Sequence, residues 1–104
     1  MLNDMKNICI GKLEKMTTFF RALSDETRLK ILLALFDGPM CVMHICERVG
    51  MSQSSVSHQL SFLRNANLVR VVREGKNQVY SISDDHVRLA VDMAGLHADE
   101  DENI

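Results

Sequence analysis

Apolar residues fall three or four positions apart through most of this chain, which is helical spacing, and only one region turns β-branched instead. In residues 12–23, Leu13, Met16, Phe19, Phe20 and Leu23 keep that spacing and predict a first amphipathic helix. Ser24 follows as a break and cap. Residues 25–37 repeat the pattern through Leu29, Ile31, Leu32, Leu35 and Phe36, and Asp37-Gly38-Pro39 stops it, because Gly tolerates positive φ and Pro cannot continue a helix. A short third helix, about Val42–Val49, ends at Gly50. Ser52 is a good N-cap for residues 53–66, whose inward stripe is Val56, Leu60 and Leu63. Past Asn67, Val69–Arg73 and Gln78–Ser83 predict two short strands around the turn Glu74-Gly75-Lys76-Asn77. Residues 84–98 return to helix, and 99–104 are expected to fray. The fold class that follows is mainly α with a small β-hairpin, in the order α-α-α-α-β-β-α. That is a winged helix-turn-helix with an extra helix at each end, in a single domain over 1–104.

Composition narrows the class. With 104 residues, 46% apolar content, one Pro and five Gly, the chain supports one modest core and is not of disordered type. No apolar run approaches the roughly 18 residues of a membrane span, and MLNDMKNICIGK lacks the apolar segment of a signal peptide, so a cytoplasmic protein without membrane contact is expected. Three cysteines, Cys9, Cys41 and Cys46, are an odd number with no C-x-x-C, which predicts reduced thiols, Cys46 being a buried small hydrophobe.

Charge is divided along the chain. The total is −2, yet residues 53–80 carry Arg64, Arg70, Arg73 and Lys76 against Glu74, a net +3, while residues 81–104 carry seven acids against Arg88, a net −6. Local field rather than total charge decides which surface meets phosphate. The basic stretch coincides with a short helix, a Gly-containing turn and a second helix whose outer face is Gln53, Ser54, Ser57, His58 and Ser61. Such short hydrogen-bonding side chains let a helix approach base edges in the major groove, and Arg73 and Lys76 on the hairpin suit phosphate or minor-groove contact. The bland alternative for each feature is an ordinary polar surface. The two together, in this order, point to double-stranded DNA.

The acidic end carries different chemistry. Asp84, His86, His97 and Glu100 form D-x-H-x10-H-x2-E, a nitrogen and oxygen donor set suited to zinc. At about 1.5 Å rise per residue the two histidines lie ~16 Å apart along one helix, too far to share an ion. Their eleven-residue gap is nearly three full turns, so they share a face. A two-fold antiparallel partner helix would bring Asp84 and His86 of one chain to His97 and Glu100 of the other, giving a homodimer with two metal sites. The ion expected is Zn(II), two per dimer, with Co(II) or Cd(II) as alternatives. Catalysis is not expected, since four ligands close the coordination shell and no H-E-x-x-H or nucleophile constellation is present.

These residues resemble the ArsR/SmtB family of metal-sensing repressors. The resemblance runs from about Phe20 to Glu100 and is carried by Leu23-Ser24-Asp25-Glu26-Thr27-Arg28-Leu29-Lys30-Ile31-Leu32, by Cys41-Val42, by Ser54-Ser55-Val56-Ser57-His58-Gln59-Leu60 with Leu63-Arg64, and by the four terminal donors. It implies a homodimer, with residues 12–23 and 84–100 as dimerisation helices, 42–66 as helix-turn-helix and 69–83 as wing. The dimer would bind operator DNA when metal-free and release it on binding Zn(II), with no small organic substrate. It also implies that His97 signals through a backbone carbonyl near Asn67. The family's Cys-Val-Cys site is here Cys41-Val42-Met43, which leaves Cys41 and His44, with Cys9 reaching over from the N-terminal arm of the partner, as a candidate second set. The alternative reading is response to Cd(II) or to thiol oxidation through Cys9 and Cys41.

Overall fold

The computed structural model describes residues 9–102, with side chains described through Glu100. Among these residues, five helices and three short strands follow one another as α1 (Ile10–Leu23), α2 (Glu26–Leu35), β1 (Met40–Cys41), α3 (Val42–Val49), α4 (Gln53–Asn65), β2 (Val69–Glu74), β3 (Asn77–Ile82) and α5 (Asp85–Glu102). This is the expected winged helix-turn-helix, with one added strand. None of its described helices is long and apolar enough to cross a membrane.

Helix ends follow local hydrogen bonding. Ser24 closes α1, but the cap of α2 is Asp25, whose carboxylate accepts the Arg28 N–H at 3.0 Å, so the expected Ser24 cap is displaced by one residue. A carboxylate at this position also favours the positive end of the helix. Gly50 takes φ +71° and its N–H returns to the Cys46 carbonyl at 2.8 Å, which ends α3 and sets the bend of the helix-turn-helix. Ser52 caps α4 by accepting the Ser55 N–H. At the other end of α4, Asn67 adopts φ +64°, Asn67 N–H reaches the Arg64 carbonyl and Leu68 N–H reaches the Leu63 carbonyl. That is a Schellman closure with Asn in the left-handed position.

The sheet runs β1-β3-β2, antiparallel throughout. Met40, Tyr80 and Val71 pair across it on the core side, and Cys41, Val79 and Val72 on the other. Strand β1 went unforeseen because two residues carry no alternation to detect. The hairpin turn is tighter than expected: Glu74 pairs with Asn77, which leaves Gly75 and Lys76 alone at the tip. Gly75 supplies the positive φ, +60°, that such a turn needs. Helix α5 also departs from expectation, because it continues to Glu102 where fraying was expected from residue 99.

One core holds these elements together. Ile31, Leu32 and Leu35 of α2, Ile45 of α3, Val56, Leu60 and Leu63 of α4, then Leu68, Val69 and Tyr80 are all buried in it. The predicted stripe of α4 is thus inward as read. In α1 the apolar residues split: Phe19, Ala22 and Leu23 join the core, while Ile10, Leu13, Met16 and Phe20 face outward. Cys46 packs against the core half-buried rather than buried.

Candidate DNA interface and metal site

Because Val56, Leu60 and Leu63 anchor one side of α4, its other side must face out. Gln53, Ser54 and His58 are exposed and Ser57 is half-buried. The Ser54 hydroxyl lies 3.3 Å from that of the cap Ser52, which places it at the first turn of the helix. The wing reaches the same end of α4. Gln53 lines a cleft of about 250 Å³ with Lys76, Asn77 and Gln78, so one predicted helix residue and one predicted hairpin residue meet there. Arg73 is exposed and folds back, its Nε donating to the Gly75 carbonyl at 3.2 Å. Asn77 and Gln78 are two amides at this surface that periodicity did not single out; their place directly after the Gly-containing turn was the available signal.

An arginine ties this helix to the rest of the molecule. Arg28 of α2 donates through Nε to the Ala22 carbonyl at 2.8 Å, through Nη2 to the Arg21 carbonyl at 3.0 Å and through Nη1 to the Gln59 Oε1 at 3.1 Å. Its guanidinium carbon also lies 4.1 Å from the Phe62 ring centroid. The last turn of α1, the start of α2 and the middle of α4 are therefore fixed to one planar cation, a task for which a planar fork suits better than an ammonium.

The four terminal donors all lie on α5 or at its cap, and all are exposed. They form two pairs. Asp84 Oδ1 accepts the His86 N–H at 2.9 Å and lies 3.2 Å from His86 Nδ1, so the N-cap also fixes two donors side by side. At the far end His97 Nδ1 and Glu100 Oε2 are 3.9 Å apart. Among the described residues no three candidate donors converge within one protomer, as the helical spacing required. The donor chemistry fits zinc, since one pair from each end gives two imidazoles and two carboxylates. Asp84 and His86 also line a cleft of about 620 Å³ with Asn65, Ala66 and Asn67, the end of α4. The Asn67 carbonyl there accepts the Ser83 Oγ at 2.7 Å.

The other candidate set is dispersed. Cys41 is half-buried at the end of β1, where it also serves as the N-cap residue of α3, His44 is exposed on α3, and Cys9 is exposed before α1. The structure does not bring them together within one protomer.

Residues 25–71, from the cap of α2 through the first half of β2, match the family described as bacterial regulatory protein, arsR family. The chain is 46% identical over 79 residues to the HTH-type transcriptional regulator NmtR of Mycobacterium tuberculosis, covering 76% of this chain and 66% of that protein. It is 39% identical over 82 residues to the cadmium resistance transcriptional regulatory protein CadC homolog of Staphylococcus aureus, covering 78% of this chain and 68% of that protein. The chain belongs to the ArsR family. Its fold also matches a homodimeric winged helix-turn-helix DNA-binding domain of Mycobacterium bovis, with a TM-score of 0.79, 32% identity, and coverage of 85% of this chain and 82% of that one. The match takes in about two thirds of the length of the two named regulators. These ArsR-family relatives are transcriptional regulators rather than enzymes, and this chain presents a regulator's surfaces: a helix-turn-helix, a wing and two outer helices.

Proposed function

We propose that this ArsR-family protein is a homodimeric, metal-responsive repressor that binds operator DNA through α4 and the wing and releases it when Zn(II) fills two sites between the α5 helices. The observation that carries the reading is the arrangement of one helix face. At 100° per residue, His86, Met93, His97 and Glu100 fall within a sector of about 60°, and Leu89 and Leu96 border it. Leu89, Met93 and Leu96 are 59%, 65% and 61% exposed, an apolar stripe that nothing in one protomer covers. Donors stand at both ends of that stripe. Moreover, Asp84 with Glu100, His86 with His97 and Leu89 with Leu96 are all centred near position 92, so a single two-fold axis there would satisfy all three pairings.

Dimerisation follows from the same face and from the outward side of α1, where Ile10, Leu13 and Phe20 are exposed. Contiguous apolar surface of this kind marks an interaction site. The homodimeric Mycobacterium bovis relative supports this assembly, and the cadmium resistance homolog supports a metal as the signal. Each bound ion would supply a cross-link between two helices that are otherwise held by side-chain packing alone. Asp84 and His86 hold their donors beside the end of α4, so a change in the packing of α5 is felt at Asn67, where the recognition helix stops. Linkage then requires DNA to weaken metal binding by the same factor that metal weakens DNA binding.

Operator anisotropy with Zn(II), Co(II), Cd(II) and Ni(II) tests the proposal. Zinc is expected to lower the affinity of the parent and to leave His86→Ala unaffected, and cobalt spectra of the parent are expected to lack thiolate charge-transfer bands. A His86→Ala protein that still releases DNA with zinc, or strong thiolate bands, would overturn the assignment and move the site to the cysteines.

A further inference from the structure

Helix α5 is long but barely attached to its own protomer. Among its described side chains, Val87 alone is buried, with Ala90 and Val91 half-buried beside it. Next to this apolar anchor stands a polar one. Arg88 Nη2 donates to the Phe36 carbonyl at 2.6 Å, and the guanidinium carbon stands 4.5 Å from the centroid of the Phe36 ring. Arg88 is the one cation in residues 81–104, yet among the described residues it makes no ion pair with Asp84 or Asp92, each one turn away on its own helix. It reaches across to another element instead.

The acceptor is informative. Phe36 is the C-cap of α2, so its carbonyl belongs to the group of acceptors that a helix leaves unsatisfied at its negative end, where a cation is favoured. The next residue, Asp37, has its carboxylate paired with Arg48 of α3, the leading helix of the helix-turn-helix. One two-residue turn is thus gripped from one side by α5 and from the other by α3. A single apolar anchor lets a helix pivot. An anchor plus a stacked, hydrogen-bonded guanidinium one residue further on does not, because two points of attachment at different azimuths define an angle.

We propose that Arg88 is a positioning residue: it fixes the angle of α5 to the protomer body through the Phe36-Asp37 turn, and so sets the separation of the two recognition helices presented to the operator. The inference rests on the dimer proposed above, in which α5 packs on its partner, so that any freedom between α5 and the body becomes freedom between the two DNA-reading surfaces. A dimer whose recognition helices wander cannot hold the spacing of about 34–36 Å between successive major grooves. Arg88 touches neither DNA nor metal. Its loss therefore acts on the operator-competent geometry and not on the donors.

The test compares full-length parent with Arg88→Met, which keeps the length and apolar stem and removes the fork. Metal-free operator affinity is expected to fall about tenfold while zinc-loaded affinity stays put, so the ratio between them shrinks by the same factor. The dimer constant from sedimentation equilibrium and the zinc affinity from competition are expected to match the parent. Arg48→Met is expected to weaken metal-free binding as well, and the double variant to lose less than the two single losses combined, because both act on one turn. Arg88→Lys keeps the charge and one donor without the planar stack, and is expected to fall between parent and Met; it decides the question if the Met variant does not fold. Affinity of Arg88→Met within about twofold of the parent, below the range that coupling mutations produce, would overturn the inference. So would loss of the dimer or, where the parent responds to zinc, equal weakening with and without it. A parent whose DNA binding ignores zinc would refute the metal-responsive function instead, and the metal-free comparison would still judge Arg88.

Discussion

At the scale of single residues, two arginines do different work with the same chemistry. Arg28 is 13% exposed at its side chain and satisfies two carbonyls at the end of α1 while bonding Gln59 on α4. Removing it leaves the Ala22 carbonyl without that donor in a part-buried setting, and stranded polar groups cost more than the bond was worth. Arg28→Met is expected to lower unfolding free energy by about 2–4 kcal/mol, read as a shift in urea midpoint at constant slope. Arg28→Lys recovers less than half, since one ammonium cannot address three acceptors at fork geometry. A midpoint unchanged in the Met variant would show that α1 docks without the clamp. Arg88, on an exposed helix, has no such burial behind it. Its removal is expected to cost operator geometry rather than stability.

At the scale of elements, α4 and the wing would divide the reading of DNA between them in the proposed complex. Gln53 opens the recognition helix and carries an amide that can address a base edge, whereas Lys76 stands at the tip of a two-residue turn and offers only a point charge. Lys76→Gln is therefore expected to weaken binding equally for all sequences and to flatten the log affinity against log salt slope by about 0.9. Gln53→Ala is expected to relax preference at one operator position, by about 1–3 kcal/mol, with the slope unchanged. The reverse pattern in a salt titration over operator variants would exchange their roles. Elements of this kind are readable in the sequence because their signals are local: the stripe Val56, Leu60, Leu63, the Gly50 bend and the Ser52 cap each lie within one or two turns. What was not readable depends on distant partners. β1 exists only because Met40 and Cys41 meet Tyr80 and Val79 about forty residues later. The run of α5 past residue 98 was hidden by its acidic composition, which resembles a solvated tail, although neither Gly nor Pro follows Gly95 to end a helix. In the same way the donor pattern of α5 was visible as spacing, while the Phe36 carbonyl that holds Arg88 was not, since no side-chain identity marks a carbonyl.

At the scale of the whole molecule, the protomer is larger than its core can explain. Its radius of gyration is 15.6 Å, against about 13 Å for a compact chain of this length. The excess fits an architecture in which α1 and α5 flank a small body and keep apolar faces outward, a state that suits association better than isolation. Met93 lies nearest the inferred axis on α5, so in the proposed dimer it would meet its own copy. Met93→Glu sets two carboxylates against each other and removes two thioether stems from the seam. With about 1.5–3 kcal/mol for each buried methionine, the change is expected to weaken the dimer by two to four orders of magnitude. The fold of each protomer is expected to survive, because Met93 is exposed in the isolated chain and contributes nothing to its core. Separation would break the proposed metal sites as well as the proposed DNA grip: each protomer keeps Asp84 with His86 at one end and His97 with Glu100 at the other, two donors apiece where a tight zinc site needs four. Sedimentation equilibrium, circular dichroism and zinc competition on this one variant therefore have a joint expected outcome of a folded monomer with weak metal and weak operator binding. A Met93→Glu protein that remains a dimer and holds zinc as tightly as the parent would mean that α5 does not form the seam, and the axis near position 92 would have to be given up.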